Sequence, residues 1–388
     1  MKSSQHRDTI GRAKRVVVKI GSRVLASESG QPDLGQIENI VRQVSELRRA
    51  GCEVVLVSSG AIGTGMGVLN LKTRPVLLPE LQMCAAIGQS RLVSHYEQFF
   101  ARECCHAAQV LLTHEDLKHR ERHLNARNTI LTLLRNGVVP IVNENDAVAV
   151  DDIRFGDNDI LAALVTILVD ADLLILMSTV NGLRKTVSGK RTVRIPYLAG
   201  VTDKELALTS GKGSNISTGG MASKLQAART AAELGVSVVI CDGRMRDVVG
   251  RIVSGEDVGT LIASSVAANG GRRINRKKKW IAYFHRAAGT IFVDAGARKA
   301  LEEQGKSLLP IGITAVEGVF PVGAAVKIAD RSGHLIGRGL VDYSSAQIDL
   351  IKGCKTSRIE SILGAKEYDE VIHRDNMVLL RPSQEGVL

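Results

Sequence analysis

The sequence predicts an α/β protein: a three-layer, largely parallel sheet sandwiched by helices over residues 1–264, a basic linker at 265–279, and a small all-β domain at 280–388. Three observations predict it. Short β-branched runs alternate with stretches of helical periodicity through the first two-thirds of the chain, the mark of repeated βα units. Aromatic residues are only 3% of the sequence against 44% hydrophobic overall, so the core is built from Val, Ile, Leu and Ala, as in a sheet covered on both faces. Near residue 265 the rhythm changes to period-two alternation broken by glycine turns. A chain of 388 residues is also long for a single core, which favours two domains.

Arg15–Ile20 (RVVVKI) is a β-branched run ending at Gly21. Ile37, Ile40, Val41, Val44 and Leu47 then keep the i, i+3, i+4, i+7 spacing of one helix face, with Gly51 as the C-terminal stop. The strand EVVLVS follows and runs into a glycine-rich loop at 58–65. Further strands are expected at 107–112, 138–142, 173–177 and 236–240, with helices between most of them. In a parallel sheet of this kind, ligands collect at the carboxyl ends of strands, which is where the glycine-rich segments fall. SSVAANGGRRINRKKK reads as the linker, and GTIFVD, GITAVEGVFPVGAAVKIAD and HLIGRGLVD supply the strands of the second domain.

The formal charge of +11 suits a nucleic acid or small anionic substrates. Six cysteines without C-x-x-C spacing read as reduced structural thiols rather than a disulfide framework or a zinc site. MKSSQHRDTIGRAKR lacks the apolar segment of a secretion signal, and no run approaches the ~18 apolar residues of a membrane span. A cytoplasmic protein that does not span a membrane is expected.

Four segments carry chemistry. In Val18-Lys19-Ile20-Gly21-Ser22 a strand-end ammonium sits beside accessible backbone N–H groups, which suits phosphate oxygens; alone, the segment reads better as an exposed lysine beside a turn. Ser58-Ser59-Gly60-Ala61-Ile62-Gly63-Thr64-Gly65 either lets a ligand approach the backbone or is simply a flexible loop. Asn143-Glu144-Asn145-Asp146 follows a buried strand, and Gly156-Asp157-Asn158-Asp159 opens the apolar helix ILAALVTILV. One Asp or Asn suffices to cap a helix, so the surplus points to an amino-acid substrate or to the positioning of lysines. Thr218-Gly219-Gly220-Met221-Ala222-Ser223-Lys224 leads into KLQAARTAAELG and offers a helix N-terminus to an anion.

Neither G-x-x-x-x-G-K-[ST] nor G-x-G-x-x-G occurs, which excludes the Walker A loop and the dinucleotide fingerprint. His114 and His119 stand at i, i+5 and diverge on a helix; His119 and His123 have ligand spacing without a third partner. No metal site is expected in the protein itself. Two lysines in glycine-rich segments, with no nucleophile triad, suit phosphoryl transfer by positioning and charge neutralisation.

The motifs VVVKIGS, SSGAI, GQSRL, LLT, RERHLNAR, PIVNENDAV, FGDND and STGGMASKLQAA, in this order, resemble the amino acid kinase family over nearly the whole chain. Within it the closest likeness is to the branch acting on glutamate, and the C-terminal domain is similar to PUA modules. The resemblance implies the amino acid kinase fold and a set of roles. Lys19 and Lys224 would neutralise the transferring phosphoryl group, and Asp159 would orient them. Ser59, Asp146 and Asn158 would bind glutamate. Lys19, Ser178, Thr179, Thr218, Gly219, Gly220, Met221, Ala222, Ser223 and Lys224 would bind ATP.

It further implies ATP with Mg2+, transfer to the glutamate γ-carboxylate as the first step of proline biosynthesis, and feedback inhibition by proline. A homo-oligomer and a glutamyl phosphate reductase that consumes the product are implied as well. One departure stands out: Ser178-Thr179-Val180-Asn181-Gly182-Leu183-Arg184 lacks the family's acidic residue after the Ser or Thr and the tyrosine after Gly-Leu. Rival expectations are a family member acting on N-acetylglutamate, aspartate or UMP, and an RNA-binding PUA protein. The last draws on the cluster Arg272, Arg273, Arg276, Lys277, Lys278 and Lys279, followed by Trp280, Tyr283 and Phe284, although such a run also describes a solvated linker.

Overall fold

The strand β1 (Arg15–Ile20) is the middle of the first unit, and Val16, Val17, Val18 and Ile20 in it have no solvent exposure. The computed structural model describes residues 2–27, 32–148, 158–188, 191–207, 220–264 and 287–379. They fall into two units, Met1–Arg273 and Ile274–Leu388. The expected linker at 265–279 and its basic cluster lie outside the described residues, as do Trp280, Tyr283 and Phe284.

After β1 come β2 (Glu53–Ser58), β3 (His106–Leu112), β4 (Val138–Glu144), β5 (Leu173–Ser178), β6 (Arg184–Ser188), β7 (Arg191–Arg194), β8 (Tyr197–Leu198), β9 (Ser237–Asp242) and β10 (Thr260–Ile262). They form an eight-stranded sheet in the order β3-β4-β2-β1-β5-β9-β10-β8, while β6 and β7 make a separate antiparallel pair. Every pairing in the large sheet is parallel except β9 with β10. Parallel strands require crossovers that cover both faces, which is why they read as continuous Val, Ile and Leu runs without alternation.

The helix Leu34–Arg49 buries Ile37, Ile40, Val41, Val44 and Leu47, the face its spacing marks out. Gly51 ends it at φ +86°, with the Gly51 N–H donating to Arg48 O (2.9 Å) and the Cys52 N–H to Leu47 O (3.0 Å). That pair of bonds is a Schellman closure, and the left-handed φ explains the glycine.

The segment expected as a loop at 58–65 folds differently. Gly60 takes φ +108° and starts the helix Ala61–Val68, which packs against the long helix Leu78–Arg102. A Cβ on Gly65 would stand 1.8 Å from the Cys84 carbonyl oxygen, and one on Gly88 would stand 1.9 Å from that of Ala61. The glycines therefore allow two backbones to touch, and tertiary packing outweighs their poor helix propensity.

The second unit contains β11 (Thr290–Val293), β12 (Ile313–Glu317), β13 (Ala325–Asp330), β14 (Leu335–Leu340) and β15 (Met377–Leu379), in sheet order β12-β11-β13-β14-β15. The alternation of TIFV places Ile291 and Val293 in the core with Val326, Ile328 and Ile336, while the helices Ala295–Gln304, Ser345–Ile351 and Ile359–Leu363 supply Leu301, Ile348 and Ile359. Among the described residues no helix is long and apolar enough to cross a membrane. All six cysteines are free, and burial pushes the Cys52 thiol up to about 11, with Asp172 and Glu53 adding to the effect.

Two substitutions in one short helix separate propensity from packing. Gly65→Ala is expected to lower the unfolding free energy by ~1–3 kcal/mol through overpacking. Gly63→Ala, where a new Cβ meets nothing within 4 Å, is expected to raise it by ~0.5–1 kcal/mol. Denaturant midpoints of the two variants test this, and equal shifts of one sign would contradict the packing account.

Candidate active site

The topology selects the place. From β1 the chain builds β2, β3 and β4 on one side, then crosses back to lay β5 on the other, so the carboxyl ends of β1 and β5 flank a switch point. Lys19 is the penultimate residue of β1. Gly21 follows it, where a Cβ would stand 3.2 Å from the Met177 carbonyl oxygen at the end of β5. The absent side chain keeps these two strand ends together.

Three charged side chains meet there. The Lys19 Nζ lies 2.6 Å from Asp159 Oδ1, and the Lys224 Nζ lies 2.8 Å from Asp159 Oδ2. Their side chains are only 4%, 3% and 9% exposed, for Lys19, Asp159 and Lys224 respectively. Each comes from a different element: Lys19 from β1, Asp159 from the first turn of the helix Asn158–Leu168, and Lys224 from the first turns of the helix Gly220–Glu233. Ser223 Oγ donates to Asp159 Oδ2 at 2.9 Å, and Lys224 Nζ also donates to Gly220 O at 3.2 Å.

Burial pushes the Asp159 carboxyl up, but the two ammonium groups outweigh it and hold the acid below the ordinary carboxylate range. The group is therefore ionised at neutral pH, and the buried cluster of two ammoniums and one carboxylate carries one excess positive charge. Such a cluster suits an anion.

The residue beside Asp159 faces another set of partners. Asn158 Nδ2 donates to Ser58 O (3.0 Å), Ser59 Oγ (2.9 Å) and Asn143 Oδ1 (2.9 Å), which fixes the amide orientation. Asn143 Nδ2 in turn donates to Gln89 Oε1 at 2.7 Å. Asn158 Oδ1 and Gln89 Nε2 are buried without a hydrogen-bond partner among the described residues. One acceptor and one donor are thus left for a ligand. A cavity of about 220 Å³ opens alongside, bounded by Ala61, Gln89, Glu144, Asn145 and Asp146 among others. His114 Nδ1 stands 3.3 Å from Glu144 Oε1 at its margin.

The structure thus brings Lys19, Asp159, Ser223 and Lys224 into one cluster, and Ser59 and Asn158 into another beside it. Asp146 bounds the adjoining cavity. Ser178 is half-buried and Thr179 exposed at the end of β5, while Gly220, Met221 and Ala222 open the helix that carries Lys224. Thr218 and Gly219 lie outside the described residues, as do Gly156 and Asp157. Sequence reasoning singled out Asn143 within NEND without giving it a role of its own, and assigned none to Gln89. Asn143 sits in NEND and Gln89 in GQSRL, but their amides meet only because the fold brings the end of β4 beside the helix Leu78–Arg102. Among the described residues no group of three or more His, Cys, Asp or Glu could hold a metal ion.

The profile of the Amino acid kinase family matches residues 14–242, and that of the PUA domain matches residues 289–363. The chain belongs to the amino acid kinase family. It is 46% identical to the glutamate 5-kinase of Moorella thermoacetica over 382 residues, covering 98% of this chain and 100% of that protein. It is also 46% identical to the glutamate 5-kinase of Caldanaerobacter subterraneus subsp. tengcongensis over 373 residues, covering 96% of this chain and 99% of that protein. The glutamate 5-kinase of Geobacter sp. strain M21 is 46% identical over 378 residues, covering 96% and 100% of the two chains.

Replacing the shared carboxylate tests the cluster. Asp159→Asn takes away the carboxylate that the two buried ammonium groups share, and is expected to cost ~3 kcal/mol or more of stability at neutral pH. Because the folded pKa lies below the ordinary value, the wild-type contribution is present at neutral pH and is lost as pH falls through the folded value. The difference in denaturant midpoint between wild type and variant should therefore narrow on acidification, and a constant difference would contradict the ion cluster.

Proposed function

We infer that the chain is an ATP-dependent kinase that phosphorylates the side-chain carboxylate of L-glutamate, yielding γ-glutamyl phosphate and ADP at the entry to proline biosynthesis. The observation that carries the reading is the pairing of Asn158 with Asp159 on one helical turn. The first belongs to a set of amides and hydroxyls suited to an amino acid, and the second holds the two lysines suited to phosphate. Acceptor and phosphoryl group would meet where the sets adjoin. Relatives of nearly full length carry the name glutamate 5-kinase.

A glutamate γ-carboxylate is ionised at neutral pH, so it attacks without a general base. One of its oxygens forms a bond to the ATP γ-phosphorus as the bond from that phosphorus to the β–γ bridging oxygen breaks. The electron pair leaves with ADP. Negative charge spreads over the transferring group and the leaving oxygen, and catalysis consists of holding positive charge there in advance. Lys19 and Lys224 supply it. Asp159 keeps both ammoniums in place without cancelling them. The turn after Ser178 and Thr179 and the N-terminus of the helix Gly220–Glu233 would hold the nucleotide, together with Thr218, Gly219, Met221, Ala222 and Ser223.

Mg2+ would enter bound to ATP, because Asp159 is engaged by two lysines and the site fits a cation carried on phosphate oxygens rather than one caged by the protein. When bound, it neutralises phosphate charge. Ser59, Asp146 and Asn158 would bind glutamate, with Asn158 Oδ1 accepting from its ammonium and Gln89 Nε2 donating to its α-carboxylate. Catalysis is placed in residues 1–264, with 280–388 as the appended PUA-like domain. A cytoplasmic homo-oligomer inhibited by proline, passing its labile acyl phosphate to a glutamyl phosphate reductase, completes the proposal.

Hydroxamate formation with ATP and each of glutamate, N-acetylglutamate and aspartate tests the reading, with glutamate expected to be preferred. In the same assay Asn158→Ala and Asp146→Ala should each raise KM for glutamate about tenfold or more, as expected for a lost charge-assisted hydrogen bond, while KM for ATP changes little. A larger effect on ATP would reverse the assignment of the two subsites. Turnover of N-acetylglutamate or aspartate alone would overturn the proposed substrate.

A further inference from the structure

The turn that follows Ser178 and Thr179 is secured from behind by a network that reaches back to the N-terminal helix Lys2–Ile10. Arg7 of that helix is 3% exposed. Its Nη1 donates to Glu256 O (2.6 Å) and Val258 O (3.2 Å), and its Nη2 donates to Pro196 O at 3.1 Å and pairs with Asp257 Oδ1 at 2.8 Å. Arg194 of β7 takes Asp257 from a second side, with Nη1 3.1 Å from Oδ1 and Nη2 2.8 Å from Oδ2, and also donates to the Gly259 carbonyl. Two guanidinium forks thus fix the backbone at 256–259.

That backbone fixes the turn in its own right. The Gly259 N–H donates to Asn181 Oδ1 at 3.0 Å. Thr260 Oγ1, wholly buried, accepts from the Leu183 N–H at 2.8 Å and donates to Ile195 O at 2.6 Å. Gly182 sits at φ +83°, where a Cβ would lie 2.4 Å from Thr260 Oγ1, so the turn and the strand behind it are in contact. Removing the guanidinium of Arg7 would take one donor from each of three backbone carbonyls and from Asp257. Glu256 O, Pro196 O and Asp257 keep the Val258 N–H, the Leu261 N–H and Arg194, so what is lost is the tie that holds 256–258 to the N-terminal helix and to Pro196.

We propose that Arg7 is a positioning residue for the nucleotide, acting through 256–259 and Thr260 to set the turn after Ser178 and Thr179. The inference rests on the reading that this turn faces ATP. It gives the N-terminal helix, which precedes the family match at residues 14–242, a role in the reaction.

The test uses the full chain and begins with wild type, whose ATP-dependent turnover must be present; its absence would count against the proposed function, not against this network. Arg7→Lys keeps the charge but loses the fork, Thr260→Val keeps the volume but loses the hydroxyl, and the double variant combines them. Each single variant is expected to raise KM for ATP about fivefold or more, with kcat and KM for glutamate within about twofold of wild type. Because both act on one turn, the double variant should be no more than about twofold worse than the poorer single variant. Melting curves accompany the kinetics. A lowered melting temperature with unchanged KM for ATP, a parallel rise in both KM values, or multiplicative effects in the double variant would each overturn the proposal. Thr260→Val decides the far end of the network even where an Arg7 variant fails to fold.

Discussion

Everything at the candidate active site depends on one unbalanced ion cluster. Two ammonium groups and one carboxylate are buried together, each lysine within 3 Å of Asp159 by the 2.6 and 2.8 Å contacts, so that among these three groups positive charge exceeds negative by one. Removing charged groups from water costs several kcal/mol per ion, and a pair recovers this only with good geometry. Within these three groups positive charge exceeds negative by one, which suits an arriving anion. A fold arranged for stability alone has no use for that surplus, whereas a phosphoryl-transfer site needs charge fixed in position before the reaction begins.

The sheet supplies the rigidity. β1 is flanked on both sides by parallel neighbours, with Lys19 opposite Val57 of β2 and Leu176 of β5, so the strand carrying Lys19 cannot shift without breaking two ladders. The helix Asn158–Leu168 is buried along nearly its whole length and fixes Asn158 and Asp159 as a unit. Their side chains reach different clusters, so the separation between the two clusters is set by adjacent residues of one turn. Around the turn after Ser178 and Thr179 loops are held in place instead, by the buried guanidinium of Arg7, by Arg194 and by the Thr260 hydroxyl.

Much of this was legible in the sequence because it is local. The helix face of Ile37 to Leu47, its Gly51 stop and the strand preceding Gly21 follow from spacing and backbone preference. The surplus of Asp and Asn around residue 158 marked the acid that joins the lysines. What was not legible depends on distant backbones meeting. Gly65 reads as part of a loop until its helix and the helix carrying Gly88 are placed in contact. Gln89 and Arg7 have no distinctive spacing. Arg7 lies in a short polar stretch, and its part is recognisable only from the distant carbonyls it meets, at a sequence separation of 249 for Glu256 and 189 for Pro196. The second unit was legible as strands from its alternation, but the expectation of an all-β domain missed its helices: Ser345–Ile351 and Ile359–Leu363 are each under two turns, and Ala295–Gln304 buries little beyond Leu301 to mark a face.

The central claim is that the ammonium groups of Lys19 and Lys224 stabilise the transferring phosphoryl group more than they bind either substrate. The most direct measurement is kcat of Lys19→Met and Lys224→Met at saturating glutamate and ATP, on protein shown to be folded. Each variant keeps the aliphatic stem and removes the charge. The account predicts that kcat falls by ~10²-fold or more in each, as for other preorganised transition-state contacts, with both KM values changed far less. A kcat near wild type in either variant would contradict it.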